Sequence, residues 1–291
     1  MHMKVHSNCL GRILILLLPA GAFCQVLGPD APRFHGSVIV SARPLSDVAE
    51  VLQSRYAKAV TYEDPVLAWR GDTQSVTAPS GRIYQTFLER TINLPPGLSP
   101  DQSPILDAAL LGRALTEYEK LNDTPRFRIA TSGLGLHIIP DTVRDAGGIP
   151  GAAKNPLDIQ VTIPRATRTA SDHFLAICAA LSPASSMRVD CLAVGLNEDW
   201  YEKLFAAPGG TLEWGASGMN ARDALIDLLD HSATTFSWRL LCGAPGAFDG
   251  HSCSLNLVPI RFAKTAADGS IKVERLEYDR CNSCAPRPKL P

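Results

Sequence analysis

Two cysteines close to the end of the chain, Cys281 and Cys284 in C-N-S-C, have the spacing of a redox pair. Such a thiol becomes reactive when a helix N-terminus or a nearby cation lowers its pKa. The residues that follow are A-P-R-P-K-L-P, and their prolines forbid that helix. The pair therefore reads as a structural or tail disulfide, with thiol oxidoreductase chemistry as the alternative. A zinc site would need two more ligands. Cys242, Cys253 and His251 are the available ones, and free thiolates are disfavoured in an oxidising compartment. Covalent haem attachment is excluded, because no histidine follows the second cysteine.

Other chemistry-bearing residues form weaker patterns. His35, His137, His173, His231 and His251 include no pair with the H-E-x-x-H spacing of a zinc protease. His173, beside Asp172 at a helix start, reads as a surface or capping residue. G-A-S-G-M around Ser217 resembles a hydrolase elbow, but it lacks the final glycine of G-x-S-x-G. Glu63 and Asp64 in E-D-P are adjacent carboxylates. Neighbours on a strand point to opposite faces, so they read as the end of a strand rather than an acid–base pair. No phosphate-binding G-x-x-x-x-G-K-[ST] occurs, and Gly133 to Gly135 reads as a hairpin turn. We expect no catalytic residue, no bound metal and no cofactor. A cell-envelope hydrolase or thiol oxidoreductase is the alternative.

Lys and Arg total 28 and Asp and Glu 29, giving a net charge of −1 with the signs interspersed, so nucleic acid is not an expected partner. Aromatic residues make up 7% and form no ladder of the kind sugar-binding grooves use. The first two dozen residues have the layout of a secretory signal peptide. Lys4 and Arg12 precede or flank an apolar run, Leu10 to Leu18, that is too short to span a bilayer, and Pro19 and small residues follow. Cleavage near residues 22–24 fits, and lipid modification of Cys24 is a further alternative. The expected location is the periplasm or the extracellular space, with no transmembrane segment in the mature chain. Beyond Cys24 lie Cys178, Cys191, Cys242, Cys253, Cys281 and Cys284, an even number that suits three disulfides. Spacing favours the local pairs 178–191, 242–253 and 281–284. In the chain-entropy model each of the two larger loops is worth on the order of 3 kcal/mol.

The elements that would position these residues follow from periodicity. G-S-V-I-V-S-A (36–42) reads as a strand. Leu45, Val48, Ala49, Leu52 and Tyr56 then mark a helical stripe that starts at Pro44, and A-V-T-Y is the next strand. Residues 69–80 read as polar loop and 82–94 as a strand. A second helix, 104–121, carries Leu106, Leu110, Ala114, Tyr118 and Leu121, and residues 126–140 form a hairpin. The Gly- and Pro-rich stretch 142–156 reads as a linker. The order then recurs. The strand at 157–163 leads into a helix with a capping box at Thr169 and Asp172, then come M-R-V-D-C-L, T-L-E-W-G-A, a helix capped by Asn220, and a closing hairpin through T-F-S-W-R-L-L-C and C-S-L-N-L-V-P-I. The fold class is α+β, with two tandem β-α-β-β-α-β-β modules, 25–141 and 157–262, of small sheets with helices packed on one face. A tail, 263–291, carries the C-N-S-C.

R-P-L-S-D-V-A-E-V-L-Q-S-R-Y-A-K-A-V-T-Y-E-D-P (43–65) and N-A-R-D-A-L-I-D-L-L-D-H-S-A-T-T-F-S-W-R-L-L (220–241) resemble the short N-terminal modules of secretins and TonB-dependent receptors, the STN type. The second half also resembles a group of uncharacterised exported bacterial proteins. The likeness covers two stretches of about 25 residues plus the element order. It departs at Ala57 and Ala233, where those modules carry glycine after the helix. No barrel or pore domain follows the two modules in this sequence. The resemblance implies small α+β sandwiches that dock on envelope or secreted proteins, or on their own copies, by a strand edge or a helix face.

Overall fold

The computed structural model describes residues 38–77, 81, 83–94, 105–121, 125–185, 187–192, 210–232, 235–244, 252–265 and 271–275. The signal-peptide and Cys24 readings, and the tail with Cys281 and Cys284, lie outside the described residues. All described residues fall within one compact unit, Phe34–Pro291. The architecture is mixed α+β with small sheets and, among the described residues, four α-helices.

The first half runs β1 (Val38–Ser41), α1 (Pro44–Tyr56), β2 (Ala59–Glu63), a single 3-10 turn (Arg70–Asp72), β3 (Thr73–Thr77), β4 (Ile83–Phe87), β5 (Arg90–Asn93), α2 (Ala108–Glu119), β6 (Arg126–Thr131), β7 (Gly135–Arg144) and β8 (Pro150–Ala152). The second half runs β9 (Gln160–Thr169), α3 (Ala170–Ser185), β10 (Arg188–Leu192), β11 (Thr211–Asn220), α4 (Ala221–Asp230), β12 (Phe236–Cys242) and β13 (Ser252–Pro259), then a hairpin of β14 (Arg261–Thr265) and β15 (Ile271–Arg275).

Helix boundaries follow local chemistry. Pro44 opens α1, where its missing N–H costs nothing. Ala57 ends that helix in the left-handed region, at φ 48°. Helix α2 starts at Ala108 rather than near Pro104, because Asp107 caps it and accepts the Leu110 N–H at 2.8 Å. The capping box forms as Thr169 Oγ1 accepts the Asp172 N–H at 3.2 Å and donates to the Asp172 carboxylate at 2.8 Å. Asn220 caps α4 through the Asp223 N–H. The run 82–94, expected to be one strand, breaks at Leu88, whose N–H donates to Asp72 O at 3.2 Å. Its first part, β4, pairs with β3, and its second part, β5, pairs with β1. The supposed polar loop at 69–80 therefore contributes a 3-10 turn and β3.

A seven-stranded sheet crosses both halves in the order β10-β13-β12-β2-β7-β6, with β8 also on β7. In the first half β2 is parallel to β7 and β7 antiparallel to β6. In the second, β10 is parallel to β13 and β13 antiparallel to β12. The halves meet where β12 lies parallel to β2, with Arg239 opposite Tyr62 and Leu240 opposite Glu63. Antiparallel pairs lie outside the sheet: β1 with β5 and β3 with β4 from the first half, β9 with β11 from the second, and the β14–β15 hairpin. The stretch 142–156 is built into the sheet as the end of β7, a turn held by Asp145, and β8.

Two cores flank this sheet. Val60, Tyr62, Leu136 and Ile138 face α1 and α2. Phe236, Trp238, Leu240 and Leu255 face α3 and α4. Because side chains alternate along a strand, Thr61 and Glu63 on β2 point to the second half's core, where Glu63 meets α4. Arg239 on β12 points the other way, toward Asp47 and Glu50 of α1. The helices of the two halves thus cover opposite faces of one sheet. The junction strands are buried on both sides, every residue of β2 and all but Leu241 of β12, which is why they carry more apolar residues than alternation allows. Gly135 lets β7 approach β2: a Cβ there would lie 2.1 Å from the Ala59 carbonyl oxygen.

Candidate functional site

Among the described residues a cluster of buried polar groups lies at the end of β2, where E-D-P crosses the junction. Glu63 and Asp64 are both 0% exposed, and they do point to opposite faces. Glu63 takes two bonds from Arg222 of α4, from Nε at 2.8 Å and Nη2 at 2.6 Å. Asn155 Nδ2 and Trp238 Nε1 also donate to it. Arg222 uses its other terminal nitrogen on Asp158. Beside this cluster the His137 ring stacks on Trp238 at 5.1 Å and bridges Thr61 and Ser132. Burial, with Arg222 adding to it, lowers the His137 pKa to about 4, so the ring is neutral.

On the other face Asp64 fastens the junction. Its Oδ2 accepts from Arg43 Nε at 2.7 Å and from the Cys242 N–H at 2.8 Å, while its own N–H donates to Leu240 O at 2.7 Å. Arg43 also donates to Cys242 O and lies over the Phe87 ring at 4.4 Å. A narrow cleft opens here. It lies between the start of α1, the end of β2 and the segments carrying Asp72, Phe87, Arg90, Tyr118 and Phe127. Asp72 is buried, and its Oδ1 accepts from Arg144 at 3.3 Å. Burial raises the pKa of both aspartates, with Arg43 opposing at Asp64 and Arg144 and Arg90 opposing at Asp72. Tyr118 is pushed up to about 12 by burial.

The structure joins Cys178 to Cys191 and Cys242 to Cys253 in disulfides. The first ties α3 to β10, and the second crosses the β12–β13 hairpin beside its connecting segment, where Cys242 stands opposite Cys253. Because Cys242 and Cys253 are bonded to each other, they are not thiolate ligands for zinc. Among the described residues no group of three His, Cys, Asp or Glu could hold a metal ion. Ser217 is exposed in β11, a strand bulged at Gly215 and near Gly218 (φ 64°) rather than turned into an elbow. A Cβ at Gly215 would lie 2.6 Å from the Arg165 Cα, so the glycine there serves strand approach. His173 is not a surface or capping residue. It is 0% exposed, bonds Leu212 O through Nε2 at 2.8 Å, and packs edge-on against Trp214. The helix period could have placed it, since it lies one position before the apolar stripe residue Phe174.

The sequence reading missed the cluster around Glu63 and the Asp72–Arg90 side of the cleft. Arg43, Glu63 and Arg222, drawn from both halves of the chain, carried no local pattern that pointed to the junction. Comparison with family models, curated proteins and solved structures finds no match for this chain. Among the described residues no helix is long and apolar enough to cross a membrane.

Proposed function

We propose that the chain is a non-enzymatic protein-interaction or envelope-assembly protein of the periplasm or extracellular space, built from two tandem STN-like modules that act through strand edges. The observation that carries this reading is the pairing of β12 with β2. Three strands of the first half, β6-β7-β2, stand beside three of the second, β12-β13-β10, and each trio repeats the same parallel and antiparallel pairings. Strand order is kept, strand direction is reversed, and the helix-covered face is exchanged. A half-turn about an axis running across the strands, with a shift along it, keeps the order and makes both changes together, which supports the duplicated module. The two disulfides fit an oxidising compartment.

The contact between the modules is then a worked case of edge docking. Repeating the same operation sets β10 of one copy beside β6 of the next, in the relation β2 has to β12. Among the described residues neither β6 nor β10 has a strand on its outer side. The partner this geometry favours is a second copy of the chain, joined head to tail. Arg126 and Arg128 on β6 are exposed charges of the kind that keep an edge from pairing indiscriminately. The contact is therefore weak and concentration-dependent. A photo-crosslinking residue at Arg128 tests it. Crosslinks to β10 of another copy are expected, and crosslinks confined to one chain at every concentration overturn the reading.

A further inference from the structure

The cleft beside Asp64 contains three buried polar atoms with no hydrogen-bond partner: Asp64 Oδ1, Asp72 Oδ2 and Arg90 Nη1. Such atoms are uncommon, because each left unsatisfied costs about 1–3 kcal/mol and more when charged. Here three occur in the lining of one opening, and the two aspartates are 0% and 3% exposed. The Tyr62 phenol lies near enough to Asp64 to steady its charge but completes no hydrogen bond to Oδ1. Arg43 is committed to Asp64 and Arg144 to Asp72, so Arg90 supplies the surplus charge of the cleft. The positive end of α1 also opens here. Arg43, its N-cap residue, gives it no side-chain cap; Asp47 stands in its first turn and the Ser46 and Asp47 N–H groups donate to Arg43 O, so the helix start adds only a modest preference for an anion.

The unmet groups therefore call for two things close together: a negative group for Arg90 and the helix start, and hydrogen-bond donors for the two carboxylates. Between them the walls are apolar, with Leu45, Phe87 and Phe127 facing the space. We propose that this cleft binds an α-amino carboxylate with an apolar side chain. The carboxylate lies toward Arg90 and the start of α1, the nitrogen donates to Asp72 and Asp64, and the side chain lies against Phe87 and Phe127. This assignment stands apart from the strand-edge reading, since it needs neither β6 nor β10.

The chemistry has two sources, a free amino acid or the C-terminal residue of a peptide. Calorimetric titration of the oxidised full chain distinguishes them with leucine, N-acetyl-leucine and leucinamide as probes. Leucine binding with N-acetyl-leucine silent assigns the free amino acid. Binding of N-acetyl-leucine assigns a chain end. Leucinamide, which lacks the carboxylate, binds at least about tenfold more weakly than the active probe, and Arg90→Gln lowers affinity for that probe by about tenfold or more, equivalent to about 1.4 kcal/mol. Among the described residues Arg90 joins no salt bridge, its guanidinium lies over the Tyr118 ring at 5.8 Å, and an unchanged near-ultraviolet circular dichroism spectrum shows that Arg90→Gln keeps the fold. Asp72→Asn, which removes an acceptor but keeps the shape, is the second variant and weakens the same probe. Silence of all three probes at millimolar concentration overturns the proposal, as does binding that is indifferent to both substitutions or to the loss of the carboxylate.

Discussion

Arg222 reaches Glu63 with two nitrogens at 2.8 and 2.6 Å across 159 residues of sequence. The first residue lies in the opening turn of α4 and the second at the end of β2, so this pair ties one half's helix to the other half's strand. Both side chains are buried, at 8% and 0% exposure. Desolvating two charges is costly, and the bidentate geometry with Asn155 and Asp158 offsets it.

Removing one member leaves the other buried without its counter-charge. Arg222→Ala is expected to destabilise the fold by about 3–5 kcal/mol. Glu63→Gln placed in the Arg222→Ala background should recover part of that loss, because the stranded carboxylate is gone. Urea unfolding of the two single variants and the double variant measures the coupling. Additive losses would mean that the two residues do not act as a pair.

The two disulfides close loops of 13 and 11 residues. Replacing either pair by serine should lower stability by about 3 kcal/mol in the chain-entropy model. The Cys242–Cys253 pair adds a second effect, since the Cys242 N–H and carbonyl hold Asp64 and Arg43. Its loss should also weaken any ligand binding in the cleft, whereas loss of Cys178–Cys191 should not. Parallel unfolding and titration of the two double-serine variants separates these outcomes.

Ala57 holds φ 48°, a conformation that disfavours any residue with a Cβ. Ala57→Gly should raise stability by roughly 1 kcal/mol, the usual preference for glycine at a left-handed helix end. Thermal unfolding reads this directly, and a lower Tm would show that the helix does not end there in this way.

Acid should act on the junction through His137. Its folded pKa of about 4 lies below the ordinary 6.5, so folding favours the neutral ring. Its contribution is complete above pH 6.5 and is lost as pH falls from 6.5 toward 4, by about 3 kcal/mol in all. Burial lowers His173 in the same direction. Asp64 and Asp72 act in the opposite sense, since acid relieves the cost of burying their charges. His137→Gln should flatten the decline of unfolding free energy between pH 6.5 and 4, leaving the part due to His173. An unchanged slope would place the proton elsewhere.

Much of the fold could be read from periodicity. The stripes Leu45, Val48, Ala49 and Leu52, and Phe174, Ile177 and Leu181, are buried where a 3.6-residue repeat places them. The caps at Thr169 and Asn220 are set by side chains within three residues and were equally legible. The sheet that joins the halves was not. Pairing of β2 with β12 depends on contacts nearly 180 residues apart, and nothing local in A-V-T-Y-E-D or F-S-W-R-L-L-C names the partner strand. The one available clue was their lack of clean alternation, which marks strands covered on both faces. Glu63 and Asp64 looked like a polar strand end for the same reason: the arginines that neutralise them come from Arg43 and Arg222. Asp72 and Arg90 were assigned to a loop and a strand, with no signal that both border one cleft.

Sedimentation velocity of the oxidised chain over a wide concentration range tests most directly whether strand edges are its working surfaces. Head-to-tail pairing of β10 with β6 predicts a weight-average mass that climbs with concentration through dimer and trimer without stopping at a closed pair. A single monomer mass at every concentration would contradict it.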